Sequence, residues 1–475
     1  MPTEMTKMRR MSSLPEPREH NSSGFSSPAP VVRLVHAFDR PFENVVATAR
    51  TCYSAKGIIT EDQASARPDR RDAIARSIYE RTARRQQDAY ARLTELLTPL
   101  AGERYFGLFP GRTRGDGRTR FAGSVKKRAQ EIARYVLPVA TFSYLYHTVS
   151  GVTLFRYWRL CESMDAPSEQ RDVVGRMVAE VLKHDPLYAS VLQDPIPLEE
   201  TPEYAAFRAL PRTAASSREF RREFDAELGG RVSRLVDWKP KNEEAVASAV
   251  REVLGVPRAA LSDEDAIRMV LDPSRNRILG ETLTLTTHDK LSRALFHASY
   301  TFRKKISHTA DSQDQRHRMT PASRPALPAY LSDEPDYVVP MLVADVPEAD
   351  GLYRETMDES WRAISELRAR GVPDEFAAYL LPNAVAIRFT ESADLLNLHH
   401  KMAMRLCYNA QEEIWRASLD EALQIKDVNP RIGRWLLPPC TLRHHAEVRP
   451  VCPEGERFCG VVVWKQQAEE YVRAL

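Results

Sequence analysis

Arg316, His317 and Arg318 form a cationic triplet inside the polar stretch KISHTADSQDQRHRMTPASRPAL, residues 305–327. The nearest acidic residue along the chain is Asp314, so no adjacent carboxylate neutralises the two guanidinium groups. Guanidinium groups bind the oxygens of phosphate or carboxylate through paired hydrogen bonds. The triplet therefore predicts a loop that binds an anionic ligand, and a solvated surface loop is the alternative.

A further basic residue is predicted on a largely apolar helix face. The residues of this face follow each other at helical spacing: Leu398, Met402, Arg405 and Asn409. A guanidinium there must be paired or bound to a ligand, because burying it alone is costly. Glu412 and Glu413 are the carboxylates available for a purely structural pairing, and ligand binding by Arg405 is the other interpretation.

The composition is typical of a soluble globular enzyme. The chain has 475 residues, of which 43% are hydrophobic and 28% charged, which suits two domains of ordinary size. Its 68 basic and 65 acidic residues nearly cancel, so nucleic acid is not expected as a partner. Six cysteines are too few for a disulfide framework, and a cytoplasmic location is expected.

Two segments bear on secretion and on membrane insertion. Residues 1–30 are rich in Ser and Pro and lack an apolar core of signal-peptide length, which predicts a disordered tail. Residues 135–155 carry no formally charged side chain and are long enough for a bilayer. Because Pro138, His147 and Gly151 interrupt this stretch, we expect a buried helix pair or a strand–helix passage and no membrane span.

The sequence repeats itself. Residues 33–50 resemble residues 234–251, as a short strand leading into an amphipathic helix. Residues 134–161 resemble residues 378–407, and both copies contain a Tyr-x-Leu-Pro element and end in Arg-Leu-Cys. The matching order predicts a duplication, and chance similarity of amphipathic helices is the alternative. The predicted domains, joined by a Pro-rich linker, are residues 31–232 and 233–475.

Hydrophobic periodicity predicts an α+β fold, helix-rich around small β-sheets. The predicted helices are Ala83–Leu97, Lys126–Val136, Glu169–Lys183, Arg222–Leu228, Glu243–Leu254, Asp263–Leu271, Tyr353–Arg370 and Asp394–Leu423. The predicted strands are Val32–Ala37, Gly280–Thr286, Ala298–Arg303, Ala384–Thr390 and Gly460–Trp464.

Taken in order, these motifs resemble those of the flavin-dependent thymidylate synthases. In that family a histidine in an aromatic strand precedes an Arg-His-Arg motif, and here FHASYTF supplies His297 ahead of the triplet. A Leu-Pro turn, a strand with Arg-Phe and a helix with a nucleotide-binding arginine before Ala-Gln then follow without gaps: Leu381-Pro382, Arg388-Phe389, Arg405 and Ala410-Gln411. The resemblance covers residues 278–413 well and extends more weakly to the first half, as a diverged copy.

The resemblance implies a role for each candidate residue. The residues expected to hold FAD are His297, Arg316, His317, Arg318 and His400. The residues expected to bind the pyrimidine nucleotide are Gln313, Arg134 and Arg405, of which Arg405 also belongs to the catalytic centre. For His400, a surface position beside His399 is the alternative role.

The resemblance also implies the reaction. NADPH would reduce FAD, methylenetetrahydrofolate would give a carbon to C5 of a uridylate (dUMP or UMP), and a flavin hydride would complete the methyl group. The expected partners are a small nucleotide and a folate, with no membrane, and two tandem chains are expected to form a homodimer.

The chain departs from the family at the substrate loop. After the triplet, the family's glutamate, serine and arginine are replaced by Arg324, Ala326 and Pro328, and the first half passes through RTARRQQ without such a loop. A catalytically impaired relative that only binds flavin or nucleotide is therefore the alternative. The arginines that are candidates to replace the lost contacts are Arg81, Arg84, Arg85 and Arg324.

The C-terminal region groups residues that ligate metals: Cys440, His444, Cys452 and Cys459. Three thiolates and an imidazole make a closed tetrahedral site, so a structural zinc ion is one interpretation. The spacing lacks the C-x2-C knuckle, and packed thiols in a Pro-rich tail are the other interpretation. The other cysteines, Cys52, Cys161 and Cys407, are predicted to be core residues.

Overall fold

The structure, a computed structural model, describes residues 70–141, 149–163, 166–210, 213–281, 288–327 and 331–475. In the first half these residues form helices: α1 (Arg70–Leu108), α2 (Gly117–Arg120), α3 (Ala122–Ala133), α4 (Gly151–Leu160), α5 (Ser168–His184), α6 (Pro202–Ala209) and α7 (Ala214–Leu228). The predicted strand Val32–Ala37 and the tail at residues 1–30 lie outside the described residues.

The second half combines strands and helices. Its strands are β1 (Ser233–Trp238), β2 (Ser299–Ser307) and β3 (Ala386–Asp394). Its helices are α8 (Asn242–Leu254), α9 (Asp263–Leu271), α10 (His308–Asp314), α11 (Met341–Ala344), α12 (Pro347–Ala369), α13 (Asp374–Ala378), α14 (Leu395–Arg405), α15 (Glu412–Val428), α16 (Pro430–Gly433) and α17 (Pro439–His445). The predicted helix-rich α+β class is confirmed.

The three strands form one antiparallel sheet in the order β1-β2-β3. Along the central strand β2, alternate side chains are buried, and Tyr300 and Phe302 pack into the core beneath the sheet. The register pairs Ser307, the last residue of β2, with Ala386, the first of β3. Because α10 begins at the residue after Ser307, the sheet fixes where the chain leaves toward the Arg-His-Arg triplet.

The two Tyr-x-Leu-Pro elements contact each other, and their prolines form an antiparallel bridge. Two hydrogen bonds of 2.8 Å join them: Val139 N donates to the Leu381 carbonyl, and Asn383 N donates to the Leu137 carbonyl. Exchanging the two copies turns one bond into the other, as a local two-fold axis requires. The predicted duplication therefore has a direct structural counterpart.

Helix α1 of the first half packs against α12 of the second half in one large apolar core. The fully buried Gln86 carboxamide donates to Ser360 Oγ at 3.0 Å and to the Leu380 carbonyl at 2.8 Å. A salt link also joins the halves, since Arg388 of β3 donates to Asp225 of α7 at 2.8 Å. These contacts give partners to the Gln86 amide nitrogen and to the Arg388 guanidinium, which would be costly to bury alone.

The prediction of one helix over Asp394–Leu423 is wrong, because α14 ends at Arg405 and α15 begins at Glu412. The Leu406 carbonyl accepts a hydrogen bond from the Trp415 indole at 3.1 Å, which stabilises the interruption. Asn409 therefore does not continue the helix face that carries Arg405.

The strand predictions are partly confirmed. Ala298–Arg303 and Ala384–Thr390 correspond to β2 and β3, which both extend further toward the C-terminus. The prediction at Gly460–Trp464 is wrong, since the only regular element there is a 3-10 turn at Val463–Lys465, a region where buried apolar side chains mimic a strand pattern. Most of the prediction at Gly280–Thr286 falls on residues 282–287, outside the described residues.

Within the described ranges, no helix combines the length and the apolar character needed to cross a membrane. Residues 142–148, in the middle of the uncharged stretch, are outside those ranges.

Candidate functional site

The triplet is positioned by the junction of β2 and α10. The hydroxyl of Ser307 caps α10 by accepting from the Ala310 amide at 3.1 Å. Beyond the helix, the His317 amide donates to the Asp314 carbonyl at 3.0 Å, and the Thr320 hydroxyl donates to the His317 carbonyl at 2.8 Å. These bonds hold the triplet in a turn at the end of α10.

Three of the predicted site residues meet directly. Arg405 at the end of α14 donates through Nε to His317 Nε2 at 2.8 Å and through Nη2 to the Gln313 carbonyl at 2.6 Å. Among the described residues, no carboxylate lies within ion-pair distance of Arg405. The structural pairing with Glu412 or Glu413 is therefore not the one that the structure contains.

His317 is a neutral imidazole in this arrangement. Burial lowers the pKa of His317 to about 3, and the positive charges of Arg405 and Lys401 act in the same direction. Because Nε2 accepts from Arg405, the ring proton is on Nδ1, which remains a donor. His400 lies beside this ring, with 6.1 Å between the ring centroids, while His399 is buried.

A fully buried network of charges lies beneath the triplet. Lys304 Nζ is 2.8 Å from Glu391 and 2.7 Å from Glu421, and Lys401 Nζ is 2.5 Å from Asp314. Lys401 also contacts Glu391. Although burial opposes ionisation, the two lysines lower the pKa of Asp314, so its carboxylate stays charged. The network ties β2, α10, β3, α14 and α15 together under the site.

Two arginines considered as replacements for the lost substrate loop are occupied by carboxylates. Arg324 donates to Asp311 at 2.7 Å, and its guanidinium lies 4.7 Å from the Phe389 ring centroid. Arg85 donates to Glu359 at 2.9 Å. The other two, Arg81 and Arg84, are exposed on α1.

A cavity of about 870 Å³ opens beside Arg405. Its walls come from both halves. Helices α1 and α3 form one side, and α14 and the C-terminal segment, residues 453–475, form the other. The C-terminal wall approaches α1 closely at Gly460, whose φ of +87° and short distances to Leu108 and Phe109 leave no room for a side chain. The cavity wall includes three residues predicted to bind flavin or nucleotide, Gln313, His400 and Arg405, and one predicted zinc ligand, Cys459.

The other residues predicted to bind flavin or nucleotide do not line this cavity. Those with exposed side chains are Arg134, His297, Arg316 and Arg318. Arg316 is still close enough to Arg405 to lower the pKa of its guanidinium, although burial is the larger cause. The His297 carbonyl accepts a hydrogen bond from Lys239 Nζ at 3.2 Å.

The four predicted zinc ligands do not all come together. His444 is exposed, and among the described residues no group of three or more His, Cys, Asp or Glu side chains is placed to hold a metal ion. Cys440, Cys452 and Cys459 instead line a small cavity with Cys407, which sequence analysis assigned to the core. Burial raises the pKa of Cys440 to about 12, so this free thiol is protonated at neutral pH.

Glu413 has a role that sequence analysis missed. Its buried carboxylate accepts from the Ser307 amide at 2.5 Å, from the Ser307 hydroxyl at 2.6 Å and from the Tyr135 hydroxyl at 2.9 Å. It therefore links the first half's Tyr-x-Leu-Pro element to the start of α10. Burial raises the pKa of Glu413 to about 7.

This carboxyl predicts a pH dependence of stability. Because the pKa rises from 4.5 in the unfolded chain to about 7, the folded protein holds the proton more tightly. The stabilisation is complete below pH 4.5 and is lost as the pH rises through about 7, roughly 3 kcal/mol in all. We expect the unfolding free energy of the wild type, minus that of Glu413→Gln, to fall by that amount between about pH 5 and 8 in urea titrations. If the difference in unfolding free energy between wild type and Glu413→Gln does not change with pH, the raised pKa of Glu413 is contradicted.

Comparison with known proteins gives matches in both halves. The sequence profile of the family described as thymidylate synthase complementing protein matches residues 60–187 and 234–431. The flavin-dependent thymidylate synthase of Geobacter sulfurreducens is 31% identical over 229 residues, which are 48% of this chain and 92% of the relative. The enzymes of that name from Thermococcus onnurineus and Sulfurisphaera tokodaii are 29% identical over 189 residues (37% and 73%) and 28% identical over 153 residues (32% and 59%).

Proposed function

The chain belongs to the flavin-dependent thymidylate synthase family, and we propose that it methylates C5 of a uridylate, dUMP or UMP, using methylenetetrahydrofolate and NADPH. The observation that carries the proposal is the contact of Arg405 with His317 and Gln313 at the edge of a cavity large enough for a small-molecule ligand.

Arg405 is suited to bind the nucleotide. Two of its N–H groups are fixed by His317 and by the Gln313 carbonyl, which orients the guanidinium. The remaining N–H groups have no strong protein acceptor among the described residues, since the Gln313 side-chain oxygen is 3.4 Å from Nη1. They are available to a carbonyl or phosphate oxygen of the ligand.

The residues of the triplet fit FAD. Arg316 and Arg318 are exposed guanidinium groups on a turn anchored by a buried network, which suits the pyrophosphate of a flavin nucleotide. The neutral imidazole of His317 adds an Nδ1–H donor between them in the sequence. When bound, the flavin supplies the hydride that completes the methyl group. The protein's part is to hold and orient both ligands.

The exposure of Arg316 and Arg318 supports a dimer of tandem chains. A flavin held only by surface arginines on one chain would remain open to water, whereas a second chain covering this face would exclude it. We propose that the site is completed in this way.

Two measurements on purified full-length protein test the proposal. Bound flavin gives a yellow protein with flavin absorbance, and turnover releases tritium from 5-tritiated dUMP or UMP when NADPH and the folate are added. A colourless protein that binds neither flavin nor uridylate would refute the proposed function. The second candidate, a relative that only binds flavin or nucleotide, is favoured by the missing substrate loop and by the occupied Arg85 and Arg324. It predicts colour without tritium release.

A further inference from the structure

The cavity contains a guanidinium from the first half that no motif singled out. Arg112 lies in the 3-10 turn Pro110–Thr113, which follows α1, and lines the cavity. Its guanidinium carbon is 3.9 Å from the Phe109 ring centroid and 4.7 Å from that of Phe121. It also donates to the Tyr105 hydroxyl. Aromatic faces and one hydrogen bond thus hold the charge in a fixed position.

This charge is not neutralised by the protein. Among the described residues, no carboxylate lies within ion-pair distance of Arg112. The acidic side chains in the cavity wall are those of Glu131, Glu281, Glu454 and Glu456, and Leu475 also lines it. Of these, Glu131 is paired with the neighbouring Arg128 at 3.2 Å. Arg112 therefore shares with Arg405, Arg443 and Arg457 a place in the cavity wall and the lack of an ion pair among the described residues.

Three other arginines of the first half differ from Arg112 in their partners or in their position. Arg85 is paired with carboxylates of α12, and Arg128 is held by Glu131 and by the Asn409 carboxamide at 3.2 Å. Arg118 lies 4.8 Å from the Phe106 ring centroid but is exposed and does not line the cavity. Arg112 alone among these four combines a fixed position, a cavity-facing location and no carboxylate.

We propose that Arg112 is an anion-binding residue of the site, supplied by the first half in place of the missing substrate loop. It holds a phosphate or carboxylate group of a ligand that also occupies the cavity beside Arg405. This inference rests on the proposed function for the identity of the ligand, but not for the chemistry of the subsite. The anion is the phosphate of the uridylate, the pyrophosphate of FAD or the glutamate carboxylates of the folate.

The test is direct binding by the full-length chain, measured by calorimetry. The variants are Arg112→Gln, which removes the charge, Arg112→Lys, which keeps the charge without the planar fork, and Arg118→Gln as the matched control. The ligands are dUMP, deoxyuridine, FAD, and the mono- and triglutamate forms of the folate. Inorganic pyrophosphate serves as a probe independent of the proposed function.

We expect Arg112→Gln to weaken one anionic ligand by roughly 10- to 100-fold, Arg112→Lys to weaken it less, and Arg118→Gln to leave it unchanged. If the ligand is dUMP, deoxyuridine binds equally to wild type and Arg112→Gln. If it is the folate, the advantage of the triglutamate disappears in the variant. If it is FAD, only the flavin affinity falls.

Two outcomes separate failure of this inference from failure of the proposed function. If the wild type binds none of the nucleotides or folates but binds pyrophosphate in an Arg112-dependent way, the subsite is supported and the proposed function is refuted. If every ligand, including pyrophosphate, binds wild type and Arg112→Gln equally, the subsite is refuted. A variant that melts at a lower temperature with unchanged affinities shows that Arg112 only packs against the rings, which also overturns the inference.

Discussion

Replacing Lys401 by Met lowers the free energy of unfolding by about 3–5 kcal/mol, because it leaves buried carboxylates without a counter-charge. Lys401 and Lys304 face Asp314, Glu391 and Glu421, and all five side chains are fully buried. Removing one cation leaves a single lysine among three carboxylates. Methionine has nearly the volume of lysine, so the loss reports charge and not a cavity.

The measurement is urea unfolding, followed by far-UV circular dichroism at neutral pH. The matched control is Lys426→Met, which removes an exposed ion pair with Glu469 at 2.5 Å. A surface pair of this kind contributes between zero and about 1 kcal/mol. The effect of Lys401→Met should shrink at lower pH, because the orphaned carboxylates can then take up protons. A loss no larger than that of the control would mean that water reaches the network.

Replacing Arg405 by Gln weakens uridylate binding by about 10- to 150-fold and spares flavin binding. The variant loses the charge-assisted bonds that the guanidinium makes, each of which is worth about 1.5–3 kcal/mol. It also loses the hydrogen bond to His317 Nε2 that orients the Arg405 side chain. A glutamine that still reaches the ligand would therefore not be held in the same orientation. Equilibrium dialysis with labelled dUMP or UMP, alongside the flavin absorbance spectrum, separates the two effects.

The converse variant is Arg316→Ala, which should lose flavin and keep the His317–Arg405 contact. A second readout comes from His317 itself. Burial and the Arg405 charge together hold the pKa of His317 down. Arg405→Gln removes that charge, so this variant should raise the pKa of the His317 ring, as measured by NMR. If Arg316→Ala retains flavin at wild-type affinity, the assignment of the triplet fails. If Arg405→Gln binds the uridylate normally, the assignment of Arg405 fails.

Much of the site is predictable from the sequence because its motifs are local. The triplet follows a strand and a short helix at fixed spacing, and Arg405 closes an amphipathic helix, so both are visible as patterns. Sequence analysis assigned them to different ligands, and only the fold shows that Arg405 donates to His317. The break after Arg405 was missed because the stretch between α14 and α15 retains apolar residues at helical intervals.

The rest depends on pairings that the sequence does not encode locally. Lys304 and Lys401 are 97 residues apart, and each resembles an ordinary surface lysine until its carboxylates are located. In the sequence, Glu413 is one of two acidic residues at the start of a helix. Only the fold brings Tyr135 and Ser307 to it. Arg112 lies in an arginine-rich turn, where nothing in the spacing distinguishes it from its neighbours.

The exchanged hydrogen bonds between the two Tyr-x-Leu-Pro elements have a consequence for the chain's history. Because both elements belong to one polypeptide, their encounter is intramolecular and survives any dilution. A free-standing protein that pairs with itself must keep every mutation acceptable in both partners at once, whereas a fused pair can change one partner alone. The two copies in this chain do differ at such a position, since Arg134 of the first matches Ala378 of the second.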